Sequence, residues 1–155
     1  MKNKTFDQIV NIEYPDDFYE MSEEELQKFF GGDMLRFGVR NTEKHVILSL
    51  SRTKKSLLSL FTNPKSVLSG AEYSLRQNLK DYKRLEEFET TMLSKPSNGI
   101  RFEYSASDKD VKQFCEIAVV KYKNAFYITH CLSRLDDKDE NENVFKEFRD
   151  SLRTK

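Results

Sequence analysis

Three runs of residues decide the fold: Gly99-Ile100-Arg101-Phe102-Glu103-Tyr104-Ser105, Cys115-Glu116-Ile117-Ala118-Val119-Val120, and Phe126-Tyr127-Ile128-Thr129-His130-Cys131-Leu132-Ser133. In each run a bulky apolar residue recurs at every second position, the signature of a β-strand with one face turned to a core. Lys123-Asn124 separates the second and third runs and fits a two-residue hairpin turn. Pairing Tyr122 with Ala125 then sets Cys115 opposite Leu132 and Glu116 opposite Cys131. A tip at Asp108-Lys109 would set Ile100 opposite Ile117 and Phe102 opposite Cys115.

This register divides the sheet into two faces. One carries Ile100, Phe102, Tyr104, Cys115, Ile117, Val119, Phe126, Ile128, His130 and Leu132, and is expected to form the main core under one or two helices. The other carries Arg101, Glu103, Glu116, Ala118, Val120, Tyr127, Thr129 and Cys131. It is mixed in character, so it is either a partly solvated or binding surface, or it is half covered by a helix. The two thiols fall on opposite faces and cannot bridge.

Outward from these strands the chain reads as β-α-β-β-α-β before them and a helix after them. Ile9 to Tyr14 is a short strand stopped by Pro15. Ser22 with Glu25 is a capping box, and Met21 with Leu26 a hydrophobic staple, so a helix starts here and ends at Gly31-Gly32. Leu35, Phe37 and Val39 alternate, Asn41 to Lys44 turns the chain, and Val46, Leu48 and Leu50 return as a hairpin. Lys54 to Thr62, with Leu57, Leu58, Leu60 and Phe61, reads as a short apolar turn or helix. Asn63-Pro64 opens a helix whose stripe is Leu68, Ala71, Leu75, Leu79 and Tyr82. Leu85 to Leu93 is a strand closed by Pro96 to Gly99. Asp136 to Glu140 is a charged loop, and the last helix carries Val144, Phe145, Phe148 and Leu152 on one side. The expected fold is α+β, a mostly antiparallel sheet of about six to seven strands flanked by helices on both faces, in one domain over residues 1–155.

Composition bounds the function. The 155 residues hold 26 Lys plus Arg against 26 Asp plus Glu, a formal net charge of zero. A nucleic-acid binder shows a basic excess that neutralises phosphates, so nucleic acid is not the expected partner. No apolar run approaches the ~20 residues that span a bilayer. The basic start Met1 to Lys4 leads into Thr5-Phe6-Asp7-Gln8 instead of an apolar signal core, so a cytoplasmic location is expected. Free thiols agree with a reducing compartment.

No constellation compels a reaction. His130 on the apolar face is readable as a general base near Tyr104, or as a core side chain satisfied by one hydrogen bond. Arg101, Glu116 and Cys131 form a row across three strands, with Glu103 and Tyr127 nearby. These residues could orient an anionic or peptide ligand, or simply pair across the strands. Arg101, Glu103, Glu116 and Tyr127 are therefore the candidate interaction surface. Asp137, Asp139 and Asn141 have the opening spacing of a calcium loop, but Glu142 stands at the required Gly and Phe148 at the bidentate Glu. Arg52, Lys54 and Lys55 form a small basic cluster in a charged loop. Gly-rich phosphate loops, zinc spacings and nucleophile elbows are absent, and no cofactor or metal site is expected.

Four segments resemble the PsbP-like superfamily. Ile12-Glu13-Tyr14-Pro15-Asp16-Asp17-Phe18 resembles its opening strand and turn, with Phe18 in place of the common Trp. Gly99 to Tyr104 is similar to its aromatic-x-aromatic strand, and Lys123 to Ile128 to the hairpin tip and next strand. Phe145 with Phe148-Arg149-Asp150-Ser151-Leu152 resembles its last helix, with Leu152 replacing the terminal aromatic. That superfamily contains the extrinsic photosystem II protein, a Ran-binding nuclear-import factor and many uncharacterised bacterial proteins, among which this chain would sit. The resemblance implies an antiparallel sheet between helices and transfers no catalytic residue, metal site or partner. The expected function is a non-enzymatic binding or accessory module for an unknown protein or small ligand. The alternatives are a small enzyme or carrier with a pocket near His130 and Tyr104, and a homo-oligomer formed through a sheet edge or face.

Overall fold

The computed structural model describes residues 1–54, 60–106 and 111–155. Its elements run β1 (Lys2–Phe6), β2 (Val10–Tyr14), β3 (Tyr19–Glu20), α1 (Glu23–Phe30), β4 (Leu35–Asn41), β5 (Val46–Arg52), α2 (Pro64–Asn78), β6 (Lys80–Met92), β7 (Lys95–Ser105), β8 (Lys112–Tyr122), β9 (Ala125–Arg134), α3 (Lys138–Ser151) and β10 (Arg153–Thr154). Seven strands form one antiparallel sheet in the order β3-β4-β5-β9-β8-β7-β6, and β1-β2-β10 form a small second sheet.

The decisive strands pair as their alternation requires. Ile100 faces Ile117, Phe102 faces Cys115, and Tyr122 faces Ala125. Lys123 and Asn124 both hold positive φ, 48° and 61°, the backbone a two-residue hairpin loop demands. Cys115 and Cys131 are buried and free. The expected tip at Asp108-Lys109 lies outside the described residues, as do Lys55, Leu57 and Leu58; the neighbouring Leu60 and Phe61 are exposed.

Helix starts follow their caps. Ser22 Oγ accepts from the Glu25 N–H while Glu25 accepts from the Ser22 N–H, and Met21 and Leu26 share one buried cluster. Gly38 on β4 lets α1 lie down on the sheet, because a Cβ there would stand 2.7 Å from Leu26. Asn63 caps α2 with Pro64 in its first turn.

The expected boundaries shift in three places. The β6–β7 turn is Leu93-Ser94, with φ 51° and 60°, instead of Pro96 to Gly99. Pro96 is tolerated within β7 because it pairs only with Thr91 of β6, beyond the stretch where β8 runs alongside. α2 ends at Asn78, so Leu79 is its cap and Tyr82 belongs to the strand. Asp136 to Glu140 is no loop: Leu135–Asp137 makes a 3₁₀ turn and Lys138 begins α3.

The core is also distributed differently. α1 and α2 cover the face carrying Ile100, Phe102, Cys115, Ile117 and Phe126. The larger core lies on the opposite face, where Phe114, Ala118, Val120, Tyr127 and Cys131 meet Phe145, Phe148 and Leu152 of the α3 segment and Val10, Ile12 and Tyr14 of β2. The amphipathic α3 and the small sheet both need an apolar floor, and this face supplies it.

Candidate functional site

Glu116 lies at the centre of the face that sequence alone left open. Its neighbours across the sheet are Arg101 on β7 and Cys131 on β9, and α3 lays Arg149 over it. Arg101 Nε donates to Glu116 Oε2 at 3.0 Å, and Arg149 Nε stands 2.6 Å from Oε1 as an ion pair out of line for a hydrogen bond. Arg101 Nη1 continues to Glu86 Oε2 at 2.6 Å, and Arg149 Nη1 donates to Thr90 Oγ1 at 3.2 Å. Phe88 completes the cluster, with the Arg101 guanidinium 4.1 Å and the Arg149 guanidinium 5.1 Å from its ring centre. The ring rests on Gly99, where a Cβ would come 2.2 Å from Phe88 Cζ. Burial pushes the Glu116 carboxyl up from its ordinary value, while the Arg149 and Arg101 charges oppose that rise.

The four candidate surface residues thus divide. Glu116 and Tyr127 are 0% and 1% exposed, inside the core, because α3 and the small sheet close over them. Tyr127 Oη donates to Asp7 Oδ2 at 3.3 Å, and Asp7 also binds Arg52 at 2.8 Å. Burial, then the Asp7 charge, pushes the Tyr127 phenol up to about 12. Arg101 and Glu103 remain partly accessible, Glu103 beside Lys112 at 3.7 Å. A cavity of about 440 Å³ opens beside Arg101, walled by Glu140, Glu142, Lys146 and Arg149. The one sequence signal for this burial is that the last helix and β2 each carry an apolar stripe that needs a floor, although nothing in it says which face supplies that floor.

On that other face His130 and Tyr104 stay apart. They lie on β9 and β7 with β8 between them, opposite Ile117 and Gln113 respectively. Tyr104 lies against Cys115, and burial raises both groups above their ordinary values. His130 packs edge-on against Phe30 of α1, ring centres 5.1 Å apart. Burial, then the Arg36 charge, holds its imidazole down at about 3, so it is neutral. Arg36 lies over the same ring, 4.2 Å from the Phe30 centre. The basic cluster is engaged by acids, Arg52 with Asp7 and Lys54 with Asp33 at 3.3 Å. Asp139 and Asn141 sit in the first turns of α3. Sequence reasoning also missed Glu72, which accepts from Arg84 Nε and Tyr82 Oη at 2.7 Å each and ties α2 to β6. Arg84 holds the Glu72 carboxyl down at about 2.

No family model matches this sequence and no curated relative is detected. Solved structures do match. Cyanobacterial PsbP (CyanoP) from Synechocystis sp. PCC 6803 superposes with a TM-score of 0.71 at 12% identity, covering 99% of this chain and 92% of that one. The chain has the PsbP-like fold. The Ran-binding protein Mog1p of Saccharomyces cerevisiae shares it, with a TM-score of 0.62 at 8% identity over 98% and 95% of the two chains. LpqN of Mycobacterium tuberculosis, described as involved in cell envelope biogenesis, gives 0.54 at 14% identity over 94% and 82%. At such identities the likeness is one of fold, and function rests on the site. None of the described helices is long and apolar enough to cross a membrane.

Proposed function

We propose that this chain is a non-enzymatic accessory module that binds a protein partner. The observation that carries this reading is where its chemistry has gone. Glu116 is spent on Arg101 and Arg149, His130 is held neutral under Phe30, and both thiols are buried. These are the groups a general base, a nucleophile or an anion site would need exposed. The surface instead carries large apolar side chains, Tyr19, Phe29, Met34 and Leu35 around α1 and β4 and Phe61 and Tyr73 around α2. That one protein of this fold, Mog1p, is described as Ran-binding supports a protein as the ligand class. On this reading residues 1–155 are a single domain of the uncharacterised bacterial branch, acting in the cytoplasm. Arg101 and Glu103 form one accessible rim a partner could touch, beside the cavity at Lys146.

The test is affinity capture from the source cell on tagged protein, read by mass spectrometry and followed by binding of the purified candidate. A direct complex of defined stoichiometry supports the reading. Turnover in a substrate screen that a His130→Phe variant abolishes while folding normally overturns it.

A further inference from the structure

β4 is covered on its outer edge for only part of its length. Val39 and Arg40 pair with Glu20 and Tyr19 of β3. Met21 N–H then donates to the Gly38 carbonyl at 2.8 Å, and the chain leaves the sheet to enter α1. Backbone groups alternate in direction along a strand. Arg36, two residues from Gly38, therefore turns its own N–H and C=O to that same edge, where no strand lies among the described residues. Its side chain is on the α1 face, stacked on Phe30, and lines a cavity of about 310 Å³ between the end of α1 and β4.

The guanidinium there is partly buried and meets no carboxylate within ion-pair distance among the described residues. Burial alone draws it down to about 10. Its neighbours in the cavity are already matched, Arg52 to Asp7 and Lys54 to Asp33, while Glu23 lines the cavity without pairing to Arg36. Met34 and Leu35 stand exposed at the rim. An open edge, an unmatched cation and an apolar rim occur together.

We propose that this stretch of β4 receives an extended acidic segment of a protein partner by strand addition, with a carboxylate of that segment facing Arg36 across the new strand pair. The inference rests on the binding reading above and gives it a place and a ligand chemistry. Main-chain hydrogen bonds at Arg36 would supply affinity and the charge-assisted pair would supply selectivity. A second copy of the chain is a poorer occupant, because antiparallel self-pairing centred on Arg36 sets two guanidiniums opposite each other.

The probe is a positional-scanning array of decapeptides of alternating Thr and Val with Glu, Gln or Lys at each position in turn, applied to the full chain and to its Arg36→Gln and Arg36→Lys variants. Expected is a preference for Glu at one position, a loss of about tenfold in Arg36→Gln with partial retention in Arg36→Lys, and slowed hydrogen exchange at the Arg36 amide in the bound state. No peptide binding, or binding that Arg36→Gln and Glu→Gln leave unchanged, overturns the inference. So does light scattering that finds a dimer which Arg36→Gln dissolves. A partner captured from the cell that binds Arg36→Gln as tightly as the natural chain sinks this site alone and leaves the accessory reading standing.

Discussion

Replacing Glu116 tests the buried cluster most directly. Glu116 is fully buried and the Arg149 side chain is 4% exposed, so neither can recover water when the other is removed. The Arg101 side chain, 16% exposed and still bound to Glu86, can. Removing one partner of a buried ion pair costs about 3–5 kcal/mol. Glu116→Gln keeps the shape and one acceptor, so a loss of about 3 kcal/mol is expected. In a chain of 155 residues that is a fall in Tm of about 6–12 °C. Glu116→Leu combined with Arg149→Met removes both charges into an apolar site and is expected to lie within about 1 kcal/mol of the natural chain. Urea denaturation of Glu116→Leu, Arg149→Met and the double would then give a coupling of about 5 kcal/mol, two single losses of about 3 against a double loss of about 1. Additive losses, or a Glu116→Gln cost under about 1 kcal/mol, would show that α3 does not seal this site and would refute the reasoning.

Three further outcomes follow from the same geometry. Gly99→Ala drives a methyl into Phe88, which the two guanidiniums prevent from moving aside, so a loss of about 1–3 kcal/mol is expected in urea melts, largely relieved by adding Phe88→Leu. His130 is held at about 3, below the ordinary 6.5, so its stabilising contribution is present above pH 6.5 and is lost as pH falls. At pH 5 the loss is about 2 kcal/mol relative to pH 7, and a His130→Phe variant should not show it; an NMR titration placing the imidazole near 6 would contradict this. Glu72 is held at about 2 against an ordinary 4.5, so its contribution is present above pH 4.5 and fades toward pH 2; Arg84 is 40% exposed, solvent screening trims the difference to about 1–2 kcal/mol, and Arg84→Gln should flatten that part of the acid titration curve.

The sheet was legible because period-two alternation and a two-residue turn leave one register for β8 and β9 and agree with one for β7. The capping box and the Asn-Pro start were legible because they are local. Which face would be the larger core was not. Counting apolar residues on three strands favours the face with Ile100, Ile117 and Phe126, and ion pairs do not register in such a count. Glu116 looks exposed until a helix thirty residues later supplies Arg149. Short strands such as β1 and β3 were missed because their backbone pairing, rather than their own side chains, makes them strands.

Among the described residues, buried arginines in this fold divide into those with a counter-charge and one without. Four arginines besides Arg36 are half-buried or deeper: Arg40, Arg52, Arg101 and Arg149. Arg40 meets Glu25, Arg52 meets Asp7, Arg101 meets Glu86 and Glu116, and Arg149 meets Glu116. A guanidinium taken out of water without a counter-charge is destabilising, so each of these pairs offsets what its own burial costs. Arg36 alone in this set has only an aromatic face and a neutral imidazole beside it. The fold would be relieved by replacing it with an apolar residue. Arg36→Leu is therefore expected to keep or raise Tm while weakening acidic-peptide binding, a stability-for-function trade that a purely structural arginine would not display. If Arg36→Leu instead lowers Tm by the several degrees that loss of a matched pair brings, Arg36 belongs with the other four and the binding argument fails.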